Sequence, residues 1–164
     1  MADNPFTKTE TTPLDRALIA QSEPTVLSGA SWFWWIAGLS VVNSVLIHSG
    51  SDTSFVIGLG FTLVVDAMLK GYLLVAVAID AVALAIICGL GFYARKGYLW
   101  AFVTGIVLYA LDALIYLAFQ DWMSVAFHGL ALFYLFRGAK ALHAALKEAK
   151  EAPAAAAPPP AVSA

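Results

Sequence analysis

YLWAFVTGIVLYALDALIYLAF, residues 98–119, is an unbroken apolar run whose one carboxylate, Asp112, sits well inside it. At a rise of about 1.5 Å per residue the run is ~33 Å long as a helix, enough to cross a hydrocarbon core of ~30 Å. It does not stand alone. Residues 72–93 form a second apolar run that ends at Arg95 and Lys96, and residues 123–142 form a third beyond the turn Gln120, Asp121 and Trp122. Turns this short between long apolar runs read as helical hairpins, with consecutive helices antiparallel and in contact. Upstream, residues 32–48 open on Trp32, Phe33, Trp34 and Trp35, an aromatic cluster expected at the headgroup level.

Composition agrees with a membrane setting. The 164 residues are 61% hydrophobic and only 12% charged, against about 25% charged in soluble domains. A net charge of -2 offers no basic face for phosphates, so a nucleic-acid partner is not expected. The single cysteine, Cys88, lies in an apolar run, which leaves no disulfide scaffold and no CxxC motif. Asp3, Glu10, Asp15 and Glu23 precede the first apolar run, a pattern unlike a cleavable signal.

These features predict an all-α membrane protein, a bundle of four transmembrane helices over about 32–48, 72–93, 98–119 and 123–142. The polar stretch 1–30 becomes a cytoplasmic N-terminal tail. Within it, Thr12 as N-cap, Pro13 at the first helical position and Asp15 in the first turn predict one short helix at the membrane surface. Residues 143–164 become a charged helix end, extended by the pair Lys147 and Glu151, followed by a disordered Ala/Pro tail. Phe55 to Leu69 is too short for a span and carries Gly58, Gly60 and Asp66, so it reads as an extra short interfacial or re-entrant helix. Gly71 is the expected break before the next span. A continuous helix from Phe61 to Tyr93 would extend ~50 Å, well beyond the core. With four spans and cytoplasmic termini, eight of the nine basic residues fall inside and only Lys70 outside. A five-span arrangement, in which 55–69 crosses, requires an external N-terminus.

A carboxylate in the middle of a span costs about 2.5–3.5 kcal/mol on insertion scales, so the intramembrane polar residues are the candidate site. Asp80, Asp112, His128 and Asn43 fall at neighbouring depths in the outer half of the bilayer, on four different helices. Helical phase puts Gly105, Tyr109, Asp112 and Tyr116 on one face, and Ser124, His128, Ala131 and Leu135 on another. Ala76, Asp80, Ala83, Ile87 and Gly91 share a third, whose small residues suit close packing. Asp112 and His128 are expected to touch, being equidistant from a three-residue turn.

The plain reading of these groups is a satisfied polar core that fixes helix register. In that case the chain is a non-enzymatic accessory or assembly component, binding membrane lipid, other membrane proteins or a second copy of itself. The alternative is a small proton or cation transporter using Asp80, Asp112 and His128. A third possibility is an outer-leaflet enzyme acting on a lipid or quinone. His48 and Asp66 are weak metal candidates, because no HxxxH or HExxH spacing supports them. No cofactor is implied. GxG pairs at Gly58 and Gly89 lack a phosphate-loop pattern, and no GxSxG elbow is present.

The Ala/Pro composition beyond Glu151 cannot bury a core. Deletion of residues 152–164 is therefore expected to leave the melting temperature in detergent unchanged, and a large loss would show that the tail docks on the folded part.

Overall fold

The structure, a computed structural model, describes residues 11–49, 58–69 and 71–151, and only the backbone of residues 47 and 48. These residues form six α-helices: α1 Pro13–Ser22, α2 Pro24–His48, α3 Gly60–Met68, α4 Leu73–Arg95, α5 Leu99–Ala118 and α6 Trp122–Glu151. Three of them, over Pro24–Leu46, Leu73–Arg95 and Leu99–Ala118, are long and apolar enough to cross a membrane. The protein is thus a helical, membrane-type molecule. α6 falls outside that set because Ser124 and His128 at one end and Arg137 at the other dilute its apolar half.

Local chemistry explains the helix boundaries. Thr12 accepts the amide of Asp15 at 3.2 Å while the Asp15 carboxylate accepts the amide of Thr12 at 2.9 Å, a reciprocal cap that starts α1. The Thr12 hydroxyl also donates to Asp15 Oδ2 at 2.7 Å, and this bond together with that from the Thr12 amide holds the Asp15 carboxyl below its ordinary range. α2 begins at Pro24, two turns before the expected start near Trp32. Ser28, Gly29 and Ser31 make that stretch look polar, yet Val26 and Ala30 within it are fully buried. α3 ends at Met68, the Tyr72 amide donates to the Leu69 carbonyl at 2.7 Å, and Gly71 lies in the break before α4 as expected. With nine residues, α3 is ~13 Å long, well short of a crossing. α6 runs on to Glu151, and Lys147 meets Glu151 at 3.8 Å. Residues 50–57, which include the expected start at Phe55, together with Lys70, the His48 side chain and the tail beyond Glu151, lie outside the described residues.

α2 packs on α4 and α6, and α5 packs on the same two helices, so the four long helices close a ring of neighbours. α3 is wedged against α2, α4 and α5, and α1 lies across one end against α6, α2 and α4. The aromatic cluster at the start of α2 divides between two environments. Trp34 and Trp35 are exposed, Trp32 stacks on Tyr134 at 4.9 Å, and Phe33 is fully buried against Phe102. Phe33 was expected at the headgroup level. It lies in the core because Gly105 opens a socket for its ring, where an added Cβ would sit 2.2 Å from a ring carbon.

Close approach of α2 and α6 depends on Gly29 and Gly138. A Cβ on Gly138 would lie 2.9 Å from the Gly29 Cα and 3.0 Å from the Phe102 ring, whereas one on Gly89 would meet nothing within 4 Å. Backbone cannot yield as a flexible side chain does, so overpacking here is expected to cost about 1–3 kcal/mol. Gly138→Leu should accordingly lower the detergent melting temperature, while Gly89→Ala should be neutral or stabilising by up to ~1 kcal/mol. Equal effects of the two substitutions in thermal unfolding would contradict this packing.

Candidate functional site

α3 begins without a cap of its own. Its N-cap residue, Leu59, has no side chain that can accept a hydrogen bond, and a nine-residue helix in isolation is not stable. Side chains from two other helices supply the missing acceptors. The Leu59 amide donates to Ser40 Oγ on α2 at 2.8 Å. The Gly60 and Phe61 amides donate to Oδ2 and Oδ1 of Asp112 on α5, both at 2.8 Å. Asp112 therefore acts as an N-cap delivered from another helix, with its charge at the positive end of the α3 dipole. Gly60 also has to be small, since a Cβ there would lie 2.7 Å from the Tyr116 ring.

Asp112 Oδ2 also lies 3.0 Å from Nε2 of His128, and both side chains are buried. The expected contact is thus present. The other imidazole nitrogen, Nδ1, is 2.8 Å from the backbone carbonyl of Ser124. A carbonyl only accepts, so Nδ1 carries a hydrogen. At 3.0 Å one proton must also lie between Nε2 and Oδ2, because two lone pairs cannot face each other there. Whether that proton is drawn on oxygen or on nitrogen, the pair is neutral as a unit. Tyr109 stacks on the imidazole at 4.3 Å and 13°, and Tyr116 lies 4.8 Å away, tilted by 49°.

Ser124 is fixed in turn. Asp121, in the turn before α6, accepts both the amide and the hydroxyl of Ser124. Those bonds hold the Asp121 carboxyl below its ordinary range. A continuous chain of contacts thus runs from the α5–α6 turn through Ser124, His128 and Asp112 to the first turn of α3. The hydroxyls of Tyr109 and Tyr116 are buried and find no hydrogen-bond partner among the described residues.

Asp80 and Asn43 belong to other contacts. Asp80 accepts the hydroxyl of Ser44 on α2 at 2.7 Å and lines a groove between α2 and α4. Asn43 is fully buried, with its Nδ2 against Gly58. Asp66 is fully buried on α3. No group of three or more His, Cys, Asp or Glu side chains among the described residues is placed to hold a metal ion. Sequence reasoning missed Ser40, Ser44 and the two α3 amides. Its one available signal was a helix start at Leu59 and Gly60 with no residue to cap it.

Asp112 has a second exposure. It lines a cleft of about 300 Å³ between α3, α4 and α5, whose other walls are apolar: Leu59, Phe61, Ala83, Ile86, Ile87, Leu108, Leu111 and Ile115. Phe61, Ile86, Leu108 and Leu111 are at least two-fifths exposed, so the cleft opens sideways onto the apolar surface. A carboxylate offers about four lone-pair positions, and Gly60, Phe61 and His128 fill three of them. One acceptor position, on Oδ1, has no donor among the described residues. Comparison with protein-family models, with curated proteins and with solved structures gives no match for this chain.

Direct contact makes Asp112 and His128 non-additive. In a double-mutant cycle with Asp112→Asn and His128→Gln, the interaction energy in detergent stability is expected to be roughly 0.5–2 kcal/mol. Strictly additive losses would contradict the pairing.

Proposed function

We propose that this chain is a four-span, non-enzymatic integral membrane protein with both termini in the cytoplasm, and that it binds an uncharged, hydroxyl-headed lipid in the cleft beside Asp112. α2, α4, α5 and α6 are the spans, and α3 is a re-entrant helix held on the outer side. α1, with Leu14 and Leu18 exposed, rests on the inner membrane surface. Contacts with other membrane proteins or a second copy are left to the exposed apolar faces and the cytoplasmic tails.

The observation that carries the ligand class is the cleft itself, with apolar walls, a lateral opening and one carboxylate oxygen with an acceptor position left. The pair behind that oxygen is already neutral. A cationic head would therefore bring an unmatched charge into an apolar space, and an anionic head would meet a carboxylate. A hydroxyl donates one hydrogen bond and adds no charge.

A small proton or cation transporter using Asp80, Asp112 and His128 is the competing reading. Against it stands the occupation of Asp112 by α3, since releasing its proton partner would leave a buried charge and loosen the helix.

Two measurements test the proposal. In a Cys88→Ala background, single cysteines at Lys96 and Glu148 should label from the cytoplasmic side and one at Asp121 from the outside; external labelling at 96 would overturn the topology. A photoactivatable diacylglycerol should crosslink to α4 and α5 around the cleft, and Ala83→Phe, which fills it, should reduce that labelling by about tenfold, a difference of ~1.4 kcal/mol. Crosslinks spread evenly over the exposed faces and indifferent to Ala83→Phe would overturn the lipid site.

A further inference from the structure

The opposite end of the α2–α4 pair carries a groove of different character. Its walls are Ser31, Trp34, Trp35, Gly38 and Arg95, and its volume is about 440 Å³. Arg95 stands in the last turn of α4, where a cation complements the helix dipole. Its guanidinium is exposed, and it holds one long hydrogen bond of 3.5 Å to Ser31 Oγ, a hydroxyl that itself donates to the Leu27 carbonyl at 2.7 Å. Trp34 adds a second donor. Its indole nitrogen lies against Gly91, one turn before Arg95 on the same face of α4.

These walls therefore present a guanidinium and the Trp34 indole N–H, and among the described residues no carboxylate lines the groove. Donors without a matching anion select an anion. Beyond them the groove becomes apolar. Trp35 is 64% exposed, and a Cβ on Gly38 would meet nothing within 4 Å, so one turn or more of α2 is open beside the charged end. Charge at a helix terminus, indoles beside it and an apolar channel leading inward match the order of parts in a phospholipid: phosphate, glycerol ester, acyl chain.

We propose that this groove binds an anionic glycerophospholipid, with its phosphate at Arg95 and Trp34 and an acyl chain along Gly38 and Trp35. In the topology above the site faces the cytoplasmic leaflet. It shares no residue with the cleft at Asp112, so either site stands or falls alone. Free phosphate would satisfy Arg95 but would leave the apolar half of the groove unused, which is why the lipid is the assigned source.

The test is native mass spectrometry of the full chain from micelles holding equal amounts of phosphatidylglycerol and phosphatidylcholine. Wild-type protein should retain phosphatidylglycerol over phosphatidylcholine by about fivefold, the factor for one basic group at an anionic surface. Arg95→Gln should abolish the preference. Gly38→Leu should reduce retention of lipid while leaving Arg95 and the melting temperature intact, and inorganic phosphate should not displace the lipid. Lys96→Gln is the control: Lys96 lies over the Phe92 ring at 4.3 Å and outside the groove, so the preference should survive. An unchanged preference in Arg95→Gln would overturn the proposal. So would an equal loss in Lys96→Gln, which would assign the effect to the diffuse charge of the turn. Displacement by inorganic phosphate with Gly38→Leu indifferent would reduce the site to an ion contact and would overturn it as well.

Discussion

The amides of Gly60 and Phe61 point out of the start of a helix that has no acceptor of its own for them, and the Asp112 carboxylate takes both. Much of the site's geometry follows from that demand. In hydrocarbon an unsatisfied backbone N–H costs several kcal/mol, so a short helix enters the bilayer only where protein receives its end. A charge-assisted bond contributes about 1.5–3 kcal/mol. Two of them are comparable in size with the 2.5–3.5 kcal/mol that an intramembrane aspartate costs. Helix end and carboxylate thus each offset the other's penalty.

His128 completes the balance of charge. A lone carboxylate serving as a cap would leave a net negative charge among apolar side chains, but an imidazole held at 3.0 Å brings the compensating proton. The direction of that imidazole is set locally: its Nδ1 is committed to the Ser124 carbonyl one turn earlier on α6, which leaves Nε2 aimed at α5. Tyr109 stacks on the ring and Tyr116 packs against it at a tilt. The result is a polar centre built from α3, α5 and α6, with one acceptor position on Oδ1 that no donor among the described residues takes.

Much of this was legible in the sequence because helical periodicity and short turns are local properties. The faces of Tyr109, Asp112 and Tyr116 on α5 and of Ser124, His128, Ala131 and Leu135 on α6 are the buried faces of those helices, and a tight turn can only make them meet. The cap at Thr12 and the continuation of α6 to Glu151 were legible for the same reason. Tertiary rescue was not. Nothing near Leu59 says that Ser40 and Asp112, far away in sequence, will accept its amide and the two that follow. The early start of α2 at Pro24 escaped because its serines and Gly29 lower the hydropathy of a stretch whose small residues serve packing against α6. Asp80 accepts the Ser44 hydroxyl of α2, a contact between helices that no local pattern announces.

Amide hydrogen exchange reads directly whether the Asp112 carboxylate holds the first turn of α3. Peptides covering residues 59–62 should exchange slowly in the wild-type protein and lose that protection in Asp112→Leu, while the amides of α4 and the middle of α2 keep theirs. Equal exchange at Gly60 and Phe61 in the two proteins, with the global fold of the variant intact, would contradict the account.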